Sequence, residues 1–178
     1  MRTKLEDIIN NLDQSEALVI GDQTLMNEVI SIDYLQNSIF GTITFSEMEF
    51  KEVNFSVSSF VNCIFKNCKF QDVVFQKCDF WNPTFENCQI QRCDFTKATF
   101  HRGTLLTCDF IETIFLGSVF NDFKFIETKF KNCDVASIST KSSRVWKSNQ
   151  SILIDDSLNL ENFLEVEDIN LNPSNEAS

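Results

Sequence analysis

The apolar positions of this chain follow neither the helical nor the strand period. From Phe40 to Val135 every fifth residue is large and apolar, and 17 of these 20 positions are Phe. The chain has 19 Phe, so only Phe123 and Phe163 fall out of register. A second series lies two residues before each large one. It is mostly small, as at Ser58, Cys63, Ala98 and Gly103, and it holds all seven Cys. A helix needs apolar residues at i, i+3, i+4 and i+7, and a half-buried strand needs strict alternation. A spacing of five would walk the Phe around every side of a helix. Small–x–large instead places two side chains on one side of an extended segment, and the next two residues turn a corner. Four corners close a square coil of about 20 residues, with successive coils about 4.8 Å apart.

The pattern therefore predicts an all-β coil with large residues along its axis. Phe60, Phe65, Phe70, Phe75, Phe80, Phe85, Phe95, Phe100, Phe110 and Phe115 form the central core ladder. Residues 20 apart stack in columns, so Cys68, Cys88 and Cys108 share one and Phe123 lies directly above Gly103. Phe123 is expected to fill the space that Gly103 leaves or to mark a local distortion.

The ends read differently. Thr3-Lys4-Leu5-Glu6 has the form of a capping box, and Leu5, Ile8, Ile9 and Leu12 follow at helical spacing, which predicts a short helix over about 4–13. Ile20, Leu25, Ile30 and Leu35 keep the five-residue register, but Leu18, Gln23, Glu28 and Asp33 stand where small residues belong. Atypical terminal repeats are normal in arrays. Residues 1–37 are thus read as a helix plus a cap or degenerate first coil, 38–137 as the coil body of about five turns, and 138–164 as a C-terminal cap or dimerisation segment. Within the last, Arg144–Trp146 and Ser151–Ile154 look like strands, and Asp156 or Ser157 is placed to cap a helix. Residues 165–178 are read as an acidic, disordered tail.

The units Cys68-Lys69-Phe70-Gln71-Asp72 and Cys93-Asp94-Phe95-Thr96-Lys97 resemble those of the pentapeptide-repeat proteins. The resemblance covers residues 38–137 and implies a right-handed quadrilateral β-helix. It also implies one specific role, because some members of that family mimic B-form DNA, act on type II topoisomerases such as DNA gyrase and dimerise through a C-terminal segment.

Charge bears on that role. The formal net charge is −11. Residues 1–39 and 136–178 carry −5 and −4 of it, and the coil body only −2. A near-neutral body departs from DNA mimicry, and without a basic stripe direct nucleic-acid binding is not expected. Neither a secretory signal nor a long apolar run begins the sequence, which reads as cytoplasmic with reduced Cys.

No catalytic signature stands out. The thiols fall on interior positions without a nearby His, and a zinc site wants four convergent ligands. His101, the only His, falls on an outer position without a paired nucleophile. The expectations are no enzyme activity, no cofactor and no metal. The outer column Val61, Trp81, His101 is the candidate contact face, either for a partner protein or for a terminal segment. The favoured reading is a rigid protein–protein interaction scaffold, monomeric or a homodimer through a terminal segment, with the gyrase role as the alternative.

Overall fold

A computed structural model describes residues 4–11, 17–135, 137–147, 150–154 and 165–167. Short strands centred on the large residues pair in parallel with those 20 positions before and after. Phe40, Phe60, Phe80, Phe100 and Phe120 are in register on the first face. The second face aligns Phe45, Phe65, Phe85, Leu105 and Phe125. The third aligns Phe50, Phe70, Ile90, Phe110 and Phe130, and the fourth is held by single bridges from Asn54 through Val74, Asp94 and Ile114 to Asp134. Val19–Met26 and Ile39–Ser46 run unbroken across the first corner, so the first two faces form one 13-stranded sheet. The third face is a separate 7-stranded sheet. The architecture is a right-handed quadrilateral β-helix.

The corners have a recurrent backbone cause. The second residue after nearly every large one has positive φ, from Asp22 at 53° to Ser142 at 52°. Among the described residues, 22 of these are not Gly. Asn and Asp tolerate this region best, and Asn27, Asn37, Asn62, Asn67, Asn82, Asn87 and Asn132 occupy it. The β-branched Thr42, Val57 and Thr107, at φ 55°, 62° and 54°, are the strained exceptions. One corner per coil is also closed by a backbone bond, as from the Ser58 N–H to the Phe55 carbonyl at 3.0 Å and from Ala98 to Phe95 at 2.9 Å.

Inside, the rings form columns. Phe40, Phe60, Phe80, Phe100 and Phe120 stack at 4.8, 4.9, 4.6 and 4.4 Å between neighbours, within 8° of parallel. Around one coil, successive rings meet edge to face, as Phe45 and Phe50 do at 5.8 Å and 75°. Burying each ring contributes roughly 1.5–3 kcal/mol, so the axis dominates stability. Phe123 takes the first of its two expected fates. It is buried, and a Cβ added to Gly103 would lie 2.5 Å from its ring.

The coil is longer than its Phe ladder, about six turns rather than five. At the N-terminal side Ile20 and Leu25 are in register with Phe40 and Phe45, and Ile30 with Phe50. A helix, Leu5–Asn10, lays Leu5 and Ile9 into the core. It is shorter than the sequence implies, and Thr3 lies outside the described residues. Lys4 is the N-cap and makes no side-chain cap bond. The Glu28 carboxylate instead accepts from the Leu5 N–H at 3.2 Å and the Glu6 N–H at 3.1 Å. An acidic residue in a small-residue slot thus serves the helix start, where negative charge is favoured.

At the C-terminal side the coil runs on into the segment expected to be a cap. Thr140 pairs in register with Phe120 and Val145 with Phe125. The strand Gln150–Ile154 then turns back antiparallel on Ser143–Lys147. Glu165–Glu167, expected at the head of a disordered tail, adds a parallel rung to Lys129–Lys131. The helix expected after Asp156 and the chain from 168 onward lie outside the described residues.

A candidate interaction face

Backbone hydrogen bonds tie each coil to the next, so the outer side chains project from a stiff frame. The Arg102 N–H donates to the Asn121 carbonyl at 3.0 Å and the Asp122 N–H to that of Lys141 at 2.8 Å. Most outer columns consume their own polarity. Asn82 donates to Asn62 at 3.1 Å and Asn87 to Asn67 at 2.8 Å. Arg92 is bidentate on Asp72 at 2.7 and 2.8 Å, and Lys66 meets Glu86 at 3.0 Å. The Arg92 guanidinium holds the Asp72 carboxyl below its ordinary pKa.

The first face is the exception. Its column just after the axis ring runs Gly41, Val61, Trp81, His101, Asn121, Lys141. Trp81 and His101 stack at 4.3 Å and 17°, continuing outside the coil the ring-on-ring packing of its core. Trp81 is 47% exposed, so no described segment covers it. Asn121 Nδ2 lies 3.4 Å from His101 Nδ1; with the amide donating, Nδ1 accepts and the imidazole proton sits on Nε2. Beyond His101 an open groove of about 400 Å³ runs over Asn121 to Lys141, flanked by Arg102 and Asp122. Val61 sits lower in the column and outside the groove. The sequence pointed to Val61, Trp81 and His101 but missed Arg102, Asp122 and Lys141. The signal was available: counting on by 20 from Asn121 reaches Lys141, one coil past the last Phe of that face.

The His101 imidazole meets the Asn121 side chain, and the His101 carbonyl accepts from the Asn82 N–H at 2.7 Å. Among the described residues no three His, Cys, Asp or Glu converge as metal ligands. All seven thiols are free and buried. Five of them donate to a carbonyl of the coil below, as Cys63 does to Phe40 and Cys68 to Phe45, both at 3.3 Å, and Cys78 to Phe55 at 2.9 Å. Ser58, Ser118 and Ser143 make the same bond to Leu35, Phe95 and Phe120. The small slot is thus a donor slot, which explains its Cys, Ser and Thr. Burial pushes Cys63 and Cys133 up to about 11 and Cys78 and Cys93 up to about 12. Such thiols are inert. Among the described residues no helix is long and apolar enough to cross a membrane.

Residues 65–107 match the family model of pentapeptide repeats, with 9 copies. No curated protein matches the sequence. One similar solved structure is HetL, a pentapeptide repeat protein involved in heterocyst differentiation regulation from the cyanobacterium Nostoc sp. strain PCC 7120. It is 9% identical, with 78% of this chain and 69% of that one covered and a TM-score of 0.42. Another is full-length QnrB1, a plasmid-mediated fluoroquinolone resistance protein, at 10% identity, 72% and 94% coverage and a TM-score of 0.26. The five-residue period, the square coil and the match agree over the centre of the coil: residues 65–107 are pentapeptide repeats, and the residues on either side keep their period.

Proposed function

We propose that the protein is a non-enzymatic, cytoplasmic interaction scaffold whose first face, from Val61 through Trp81 to His101, contacts a protein partner. The observation that carries this reading is the stacked Trp81–His101 pair, with Trp81 exposed on the outside of the coil. Large aromatic surface held in place by a rigid backbone is what interfaces use as anchors. Self-association belongs at the C-terminal end, where Ile152 and Leu153 are exposed on the strand that closes its sheet. The gyrase role draws no support from the outer ladders, where Lys66 faces Glu86 and Arg92 faces Asp72 rather than forming a run of acid.

The test compares protein captured from native lysate by wild type and by Trp81→Ala and His101→Ala. Both variants should keep the wild-type melting temperature and lose specific partners. Unchanged profiles would remove this face from the function. Supercoiling by DNA gyrase should be unaffected by the protein at any ratio.

A further inference from the structure

The groove beyond His101 has a shape that the ring column itself explains. Trp81 and His101 are two rings in consecutive coils, 4.3 Å apart. The next coil presents Asn121, whose side chain is short, and the one after it presents Lys141, whose side chain is long. The groove beside His101 therefore passes over the short Asn121 side chain, which meets one edge of the imidazole, and reaches Lys141. A planar ring seated there would extend the stack by one member and have a cation on its other side, both favourable for a ring quadrupole.

Charge narrows the occupant. The chain is strongly acidic, at −11, yet the groove gathers Arg102 and Lys141 against Asp122 alone. Among the described residues neither cation has an ion-pair partner, whereas Arg92 is tied to Asp72. Two free cations beside a ring slot suit a ring flanked by carboxylate. A nucleotide fits less well. Phosphate sites are built from converging backbone N–H groups, and here the Arg102 and Asp122 amides are bonded to the next coil. A free small molecule would need an enclosing pocket, and this groove is open along one side, so its cover has to come with the ligand.

We propose that the groove between His101 and Lys141 receives an aromatic side chain from an acidic segment of a partner polypeptide, its ring on His101 and its neighbouring carboxylates on Arg102 and Lys141. This rests on the reading of the first face as an interaction surface.

The experiment titrates the full ¹⁵N-labelled chain with the blocked peptide Gly-Glu-Trp-Glu-Gly. Controls are Gly-Lys-Trp-Lys-Gly, Gly-Glu-Leu-Glu-Gly and adenosine monophosphate. His101 is the only His and Trp81 one of two Trp, so its ring protons and the indole N–H give assignable signals, with Trp146 as internal reference. The acidic tryptophan peptide should shift His101 and Trp81 and leave Trp146 in place. Exchanging Glu for Lys or Trp for Leu in the peptide should weaken binding at least tenfold. Lys141→Glu should weaken the acidic peptide to a similar degree at unchanged melting temperature and reverse the preference toward the lysine peptide. Indifference to peptide charge, indifference to Lys141→Glu, or tighter binding of adenosine monophosphate would overturn the proposal. If the peptides fail while Trp81→Ala still loses captured partners, the interaction face stands and its ligand is of another kind. If both fail, the face itself is wrong.

Discussion

At the residue scale, the repeat tolerates variety outside and almost none inside. Gly103 and Phe123 show how an exception is absorbed. The space above a missing side chain is filled by the only Phe standing in a small slot, and Pro83 closes the other side, its carbonyl 2.6 Å from where a Cβ would be. Gly103→Ala should therefore destabilise by about 1–3 kcal/mol through overpacking. Phe123→Ala should cost about 3–5 kcal/mol through the cavity it leaves. The double variant should be clearly non-additive by chemical denaturation; additive losses would mean that the two positions do not share the space. The thiols give a pH signature. Burial raises the pKa values of Cys63 and Cys133 to about 11 and of Cys78 and Cys93 to about 12. The native state thus keeps protons that the unfolded state gives up at about pH 8.5. Stability should be flat below that pH and fall as pH rises toward the folded pKa values, by about 1.4 kcal/mol per pH unit for each such thiol. Denaturant melts across pH 7–11 read this, and a disulfide-exchange reagent at pH 8 should count none of the seven thiols in the native protein and all of them after unfolding.

At the element scale, the part written in Phe was legible and the part written in backbone was not. Seventeen Phe in one register leave a square coil as the only arrangement that gathers them. The end coils hid because an end rung stacks on one side only. Leu18 and Glu28 occupy small slots there since no earlier coil crowds them, and Thr140 and Val145 do axis duty where a Phe was being sought. The Asn at corner positions were visible, but their meaning depends on φ, which a hydrophobicity pattern does not carry. On the candidate face, Trp81 was legible as an outward aromatic, and the two cations completing its groove were not, because Lys141 lies beyond the Phe register and Arg102 at a corner. Glu28 offers an element-level test. Glu28→Ala removes the acceptor for the Leu5 and Glu6 N–H groups. Loss of such a cap costs about 1 kcal/mol, and it should fall on the helix alone. Hydrogen exchange should rise across Leu5–Asn10 and stay unchanged in the strands from Ile39 onward. Uniform loss of protection would show that the helix is an integral part of the coil's cooperativity.

At the scale of the whole molecule, the coil is a quasi-one-dimensional array in which each rung rests on its neighbours. Its stability is spread along the axis, so the outer columns are free to vary, and that freedom is what lets one face specialise while the others neutralise themselves. The charge is divided as well, since the ends carry most of the net charge while the body presents mixed polarity and one aromatic column.

A coil that turns one corner every five residues also fixes direction by counting. The side on which a residue emerges is its phase in a cycle of 20, and Trp81 and His101 meet only because they are in phase. Inserting one Cys-Lys-Phe-Gln-Asn unit between them, after the corner residue Arg92, would keep the axis filled and the corners satisfied. It would also rotate everything downstream by a quarter turn. The variant should fold with wild-type circular dichroism yet lose the Trp81–His101 stack, seen as altered indole and imidazole chemical shifts; inserting four units should restore phase with the groove one coil further away. In such a molecule the length of an insertion, rather than its composition, decides whether a binding face survives.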